Sequence, residues 1–261
     1  MTFELNQVYN EDCLVTMSRM PPDFIDLTVT SPPYDNLRTC YEHSFDYEVI
    51  EALYRVTKTG GVVVWVVGDA TINGSETGTS FKQALYFKEV GFNLHDTMIW
   101  NKPNFSNPSK TRYHQIFEYM FVFSKGKPKT FNPIKDKKNK YLTCVGRNTM
   151  RKANGELVDI KKNIGNEWGM RTNVWNINTV SQEMMCKKPP HPAMFPCKLA
   201  NDHIISWSNT GDLVYDPFAG GGTTLKMAIR NHRNYVGSEL SGEYCKIIAK
   251  QIDLEVSSDI Y

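Results

Sequence analysis

Ser31-Pro32-Pro33-Tyr34 sets a hydroxyl, two φ-restricted residues and an aromatic ring in consecutive positions. Consecutive prolines cannot continue a central strand, and they keep the neighbouring acceptors, the Ser31 hydroxyl and the Pro32 carbonyl, from relaxing. Two such oxygens can accept both N–H bonds of an exocyclic amino group. The nitrogen lone pair, otherwise delocalised into its ring, is then favoured as a pyramidal nucleophile. Tyr34 is placed to stack on a base that has left the duplex, as it must, because the amino nitrogen faces its partner base inside the helix. The plain alternative is a loop after a strand; a polyproline ligand is disfavoured because no PxxP spacing accompanies these prolines.

A second constellation is Asp216-Pro217-Phe218-Ala219-Gly220-Gly221-Gly222-Thr223-Thr224. Glycines at a strand-to-helix turn let backbone approach a ligand closely and aim amide N–H groups at it. No Lys follows them, which excludes a phosphate-gripping P-loop. Glu239 follows Gly220 by 19 positions, a spacing that suits a carboxylate accepting from ribose hydroxyls at the end of the next strand. The pair reads as a site for a nucleoside-containing cofactor, against the alternative of a purely structural turn.

These residues need strands that end where they begin. Residues 7–9 read as a short strand and 14–20 as a helix that Pro21-Pro22 ends. Ile25–Thr30 is β-branched and stops at Ser31. A helix over 46–57 stops at Gly60-Gly61, and the apolar run 62–67 reads as a strand buried on both faces. A loop at 73–79, a helix to 89 and strands near 97–100 and 117–123 follow. Beyond 190 the pattern resumes with a helix over 199–206, a strand over 213–215, a helix over 223–231, a strand over 235–238 and a helix over 244–254. The alternation predicts an α/β fold with a parallel sheet wrapped on both faces. Ligands bind such sheets at the carboxyl ends of the strands, where both constellations fall.

The chain has 261 residues, 41% apolar and 22% charged, with a net charge of +2. That near-neutral total hides an asymmetry. Residues 125–188 hold fifteen Lys and Arg against five Asp and Glu, leaving fifteen against twenty-three elsewhere. A locally basic segment displaces counterions from a polyanion, which the acidic remainder would repel. Tyr141, Trp168 and Trp175 lie in it among Arg147, Arg151, Arg171 and several Asn, side chains suited to stacking and base edges. This segment breaks the strand–helix alternation and reads as an insertion. Six cysteines without a CxxC pair exclude a zinc ribbon and suggest reduced, cytoplasmic thiols. No apolar run approaches the ~20 residues that cross a bilayer, and residues 1–16 carry acids where a signal peptide would be basic and apolar.

Together, Thr30-Ser31-Pro32-Pro33-Tyr34 and the later glycine motif resemble the amino-group DNA methyltransferases that use S-adenosylmethionine (AdoMet), and their order resembles the β class. Gly221 departs from the pattern, standing where a small Ser or Thr is expected. The resemblance covers most of the chain outside 125–190. It implies a Rossmann-like, circularly permuted sheet: 1–124 as a catalytic half, 125–190 as an inserted basic target-recognition region, and 191–261 as a cofactor-binding half. The strands carrying Asp12 and Glu239 would then be neighbours. The stretch 10–14 resembles the segment that holds the adenine, with Asp12 accepting from its amino group; 99–104 resembles a stretch near the target base, and 191–196 one at the methionine end of AdoMet.

The residues this implies are Ser31, Pro32, Pro33 and Tyr34 for catalysis. Asp12, Cys13, Phe195, Asp216, Phe218, Ala219, Gly220, Gly222, Glu239 and Leu240 would hold the cofactor. Lys102, Lys137, Lys138, Arg147, Arg151 and Arg171 would meet double-stranded DNA, and no metal is required. Ser at the head of the tetrad leans towards cytosine N4, with adenine N6 next. The resemblance is compatible with a homodimer and with a restriction enzyme acting separately. Rival readings are a catalytically inert nucleic-acid-binding module, and cytosine C5 methylation through Cys197, which reads better as a packed thiol.

Overall fold

The computed structural model describes residues 3–33, 47–105, 108–139, 149–159, 166–180 and 195–258. Tyr34, Tyr141, Arg147 and residues 191–194 lie outside them. The chain divides into two units, Met1–Asn132 with Asn173–Tyr261, and Pro133–Thr172.

In the first unit the strands of the main sheet are β1 (Gln7–Tyr9), β2 (Ile25–Thr30), β3 (Thr57–Val67), β6 (Asn93–Asn101), β7 (Phe117–Ser124), β12 (Val174–Asn176), β13 (Leu213–Asp216) and β14 (Asn234–Ser238). A small hairpin, β4 (Thr71–Ile72) and β5 (Ser75–Glu76), follows β3. The helices are α1 (Cys13–Arg19), α2 (Glu48–Val56), α3 (Thr79–Val90), α4 (Cys197–Trp207), α5 (Thr223–Arg230) and α6 (Gly242–Ser258). The eight strands lie in the order β1-β14-β13-β2-β3-β7-β6-β12. From β2 the chain winds one way through α2 to β3; from β13 it winds the other way through α5 to β14. The order therefore reverses between β13 and β2, the point at which sheets of this kind bind ligands at the carboxyl ends.

The strands form where β-branched and aromatic residues are buried on both faces. Val63, Trp65 and Val67 join the apolar core with α1, α2 and α3 on one side, while Val62, Val64 and Val66 join the core with α4, α5 and α6 on the other. Phe87 of α3 stacks on Phe123 of β7 at 4.0 Å between centroids, and Leu199 and Ile204 of α4 are fully buried on the opposite face. Three layers result, with helices on both sides of one sheet.

Three details differ from the sequence reading. The sheet is mixed, because β7 runs antiparallel to both β3 and β6. No helix separates β6 from β7 among the described residues, and consecutive strands joined without a crossover helix pair antiparallel. Gly60 and Gly61 do not precede β3 but lie inside it, where the β2–β3 register shifts between Ile25 and Leu27. Gly60 adopts φ +85°, and a Cβ there would stand 2.4 Å from Lys129 Cγ. Lastly, Val174–Asn176 pairs parallel with β6 as the edge strand of the main sheet, although it falls within the predicted insertion.

The second unit is built from short pairings: β8 (Lys137–Lys138) with β11 (Trp168–Gly169), and β9 (Thr149–Arg151) with β10 (Leu157–Asp159). Arg171 donates from Nε to Asp136 at 2.8 Å, and its backbone N–H bonds the Ile134 carbonyl at 2.9 Å. Lys137, Lys138 and Arg151 are exposed.

Candidate active site

Two parallel strands, β2 and β13, are paired through Val214 with Leu27 and Tyr215 with Thr28. Their carboxyl ends therefore emerge side by side, one into Ser31-Pro32-Pro33 and the other into the glycine turn. A bridge joins them. The Thr30 hydroxyl donates to Asp216 Oδ1 at 2.6 Å, and the Phe218 N–H donates to the same oxygen at 3.1 Å. From the glycine side, Thr224 Oγ1 donates to the Val29 carbonyl at 3.0 Å. Asp216 is 2% exposed. Burial lifts its carboxyl from 3.8 to about 6, against the pull of the Thr30 hydroxyl, the Phe218 amide and Thr224.

The glycine turn is held from its other side by β14. Ala219 N–H donates to the Ser238 carbonyl at 2.9 Å, and Gly222 N–H to the Ala219 carbonyl at 2.7 Å. Gly222, at φ +81°, is the N-cap of α5; an added Cβ would meet two carbons of Ile248 at 3.1 Å. Glu239 closes the turn. Its Oε2 accepts from Gly220 N–H and its Oε1 from Ser241 N–H, both at 2.8 Å. Burial raises its carboxyl above the ordinary range, and the amides of Ser241, Gly220 and Leu240 oppose that rise.

The β1 end completes the cluster, since β1 pairs parallel with β14. Glu239 N–H donates to the Tyr9 carbonyl at 3.0 Å. Asn10 Nδ2 donates to the carbonyls of Glu239 and Leu240 at 2.8 and 2.9 Å. Asp12 caps α1, accepting from Leu14 N–H at 2.7 Å. Cys13 is buried behind it, whereas Leu240 leaves its side chain 65% exposed at the lip. Phe218 packs edge-on against Trp65, with centroids 6.2 Å apart, and Phe195 is buried in the core shared with α4 and α5.

The structure thus brings Ser31, Pro32 and Pro33 beside Asp216–Gly222, with Glu239, Leu240, Asp12 and Cys13 on the far side of the turn. Tyr34 and Arg147 lie outside the described residues. Trp175 is not a surface stacking side chain: it is 6% exposed and stacks on His203 at 4.5 Å. Lys102, at the end of β6, is committed within the fold; it ion-pairs with Glu118 and sits 4.8 Å over the Trp100 ring. Arg171 is similarly engaged by Asp136.

Sequence reasoning includes Thr30 and Asn10 in its motifs but assigns neither a role, and it passes over Asp69. Asp69, just past β3, accepts from Ser80 N–H at 2.9 Å and Thr77 Oγ1 at 3.3 Å, which fixes the start of α3. An acid at a strand end before a Gly/Ser/Thr loop was the available signal.

The donor set suits a nucleoside cofactor. A carboxylate offers about four lone-pair positions, and backbone amides meet only some of those on Glu239, so capacity remains for ribose hydroxyls. The left-handed turn presents backbone rather than side chains, and exposed Leu240 offers an apolar face to a purine.

A glycine turn and a proline-stiffened acceptor turn, side by side where the strand order reverses, define a nucleoside-dependent group-transfer enzyme on a Rossmann-like sheet. The chain belongs to the N6/N4 methyltransferase family, described as DNA methylase, whose profile matches residues 25–250, and it is accordingly an AdoMet-dependent DNA methyltransferase. It is 58% identical over 234 residues to the orphan methyltransferase M.BamHII of Bacillus amyloliquefaciens, covering 87% of this chain and 88% of that protein. Its fold resembles that of the PvuII DNA methyltransferase, a cytosine-N4-specific enzyme, with a TM-score of 0.68 at 22% identity, over 96% of this chain and 87% of that one. It also resembles M1.HpyAVI in complex with SAM, with a TM-score of 0.61 at 21% identity, over 94% and 98%.

Proposed function

We propose that this methyltransferase modifies the exocyclic amino nitrogen of a base flipped out of duplex DNA, with N4 of cytosine ahead of N6 of adenine. The observation that carries the reading is the Thr30–Asp216 hydrogen bond, which ties the acceptor turn to the cofactor turn at 2.6 Å.

Ser31 Oγ and the Pro32 carbonyl accept the two amino N–H bonds and leave the nitrogen lone pair directed away from them. Pro32 and Pro33 hold those oxygens in place, so little reorganisation accompanies the reaction. Tyr34 stacks on the flipped base. Glu239 takes the ribose hydroxyls, Asp12 the adenine amino group, and Leu240 one face of the purine. Asp216, Phe218, Ala219, Gly220 and Gly222 shape the turn against the cofactor, with Cys13 and Phe195 packed behind. When bound, AdoMet supplies a methyl group already activated by its positively charged sulfur, so positioning suffices without a metal or a covalent enzyme intermediate. Asp216 is a positioning residue, because its buried Oδ1 faces Thr30 and Phe218.

Lys137, Lys138, Arg147 and Arg151 supply phosphate contacts from the basic insertion, whose compact part is Pro133–Thr172. The parallel pairing of β1 with β14 supports a permuted order in which the two ends of the chain share one cofactor pocket. Among the described residues no helix is long and apolar enough to cross a membrane, and the reading places the enzyme with DNA in the cytoplasm.

The test is to incubate the purified chain with isotopically labelled AdoMet and bacterial genomic DNA, digest the DNA to nucleosides and identify the labelled one by mass spectrometry. Labelled N4-methylcytosine is expected. N6-methyladenine would reassign the base, and DNA binding without transfer would reduce the chain to a binding module.

A further inference from the structure

The connection between β6 and β7 carries chemistry that the site above does not use. Because β7 is antiparallel to β3, its first residues lie beyond the carboxyl end of β3: Tyr119 pairs with Val67, and Trp65 in turn pairs with Thr30. The segment therefore leaves the sheet at the same end as Ser31, with only β3 between. At the usual strand spacing that is a lateral offset of roughly 10 Å.

Residues 108–116 hold Lys110, Arg112 and His114 and no acid. The segment has a built shape. Arg112 donates to the Gly74 carbonyl at 2.6 Å and to Thr71 Oγ1 at 3.3 Å, and pairs with Glu76 at 3.6 Å, which ties the loop to the β4–β5 hairpin. Thr111 N–H donates to Ser109 Oγ at 3.2 Å, and a His114 ring nitrogen lies 3.2 Å from the Ser109 carbonyl. The His114 ring also packs against Phe105, tilted by 34° with centroids 3.9 Å apart. Between these anchored neighbours the Tyr113 side chain is 100% exposed.

We propose that residues 108–116 form a second DNA-contacting element, separate from the basic insertion, in which Tyr113 stacks on bases beside the gap left by the flipped nucleotide. This inference rests on the DNA-methylation reading. An aromatic ring held out by an ordered loop gains nothing from water, whereas a base face rewards it. Lys110, three positions before Tyr113 in the same segment, is exposed and open to a phosphate, and a ring is about as thick as the vacated base, roughly 3.4 Å. A fully exposed tyrosine in a segment with two fixed cations, Lys110 and Arg112, suits a polyanion better than the broad apolar patch by which two copies of a chain associate.

The experiment compares the full-length wild type with Tyr113→Ala, Tyr113→Phe and Lys110→Gln. It measures affinity for duplex genomic fragments across salt concentrations, methyl transfer, melting temperature and sedimentation. Tyr113→Ala should weaken DNA binding or slow transfer about tenfold, leaving KM for AdoMet and Tm unchanged, and Tyr113→Phe should stay within about twofold of wild type. Lys110→Gln should reduce the salt slope by about 0.9, the loss of one phosphate contact. A Tyr113→Ala protein that binds and methylates like an active wild type overturns the inference alone. So does one whose only change is loss of a dimer, which would make the ring an interface between copies. A wild type that neither binds nor methylates DNA removes the functional reading, and this inference with it.

Discussion

Replacing Thr30 with Val removes the hydroxyl that bridges the two site turns while keeping a β-branched side chain of nearly the same volume in β2. The Thr30 donor is the largest influence opposing the burial that lifts Asp216 to about 6. Raising a carboxyl from 3.8 to about 6 corresponds to a penalty on its charged form of roughly 3 kcal/mol. A hydrogen bond to a charged group contributes about 1.5–3 kcal/mol, so without Thr30 the penalty should grow by about 2 kcal/mol at pH 8, where the carboxyl is ionised with or without Thr30.

The sign follows from proton binding. The native carboxyl keeps its proton up to about pH 6, whereas the unfolded one releases it near 3.8. Between those values the native state binds more protons, and stability falls as pH rises. Below that window the penalty is absent; above it the penalty is complete. In Thr30→Val the folded carboxyl rises further, so the decline deepens and extends past pH 6. Thermal unfolding at pH 4.5, 6 and 8 should show a Tm drop of about 4–8 °C relative to wild type at pH 8, and less than half that at pH 4.5. Thr30→Ser should stay near wild type, and Asp216→Asn should flatten the wild-type slope between pH 4 and 6. An equal loss at all three pH values, or a Ser variant as weak as the Val variant, would show that packing rather than the buried bond carries the effect.

Ser31→Ala is expected to cut turnover about 10- to 100-fold while AdoMet affinity, followed by equilibrium binding, stays within about twofold. Glu239→Gln should act in the reverse sense, raising KM for AdoMet about tenfold or more with turnover at saturation largely kept; exchanged phenotypes would mean exchanged sites. Gly222→Ala forces a side chain into φ +81° and against Ile248, so it should lower stability by about 1–2 kcal/mol in denaturant unfolding. Cys197→Ser, at the first turn of α4, should retain near-wild-type methyl transfer; complete loss would revive a thiol nucleophile.

What the sequence revealed best was where strands must stop. Pro32 and Pro33 end β2, Pro217 ends β13 and Glu239 follows β14, because proline cannot donate to a ladder and a glycine turn needs left-handed backbone. Those local rules alone place both turns at one end of the sheet. Direction and burial were harder. The reversal of β7 was legible in the missing helix between Trp100 and Phe117, but strand–helix alternation elsewhere favoured a parallel reading. Trp175 shared a basic neighbourhood with exposed residues, and a three-residue edge strand has too little periodicity to show that its middle side chain faces the core.

The same limit explains why Thr30, though it heads the acceptor motif, carries no role in the sequence reading. Its partner Asp216 lies 186 positions away, and no local pattern distinguishes a threonine that fills a strand from one that donates to a buried carboxylate. Yet the bond has a consequence that neither motif has by itself. Each turn would hold its ligand alone, but transfer needs the acceptor oxygens and the cofactor turn at a fixed separation, and two parallel strands can slide by fractions of an ångström. The Thr30–Asp216 bond crosses the β2–β13 seam, and the Thr224–Val29 bond ties the first turn of α5 back to β2. Sliding of β2 against β13 strains the first bond and pulls on the second, so the separation is set by the strand pair and the helix that follows it rather than by the loops beyond.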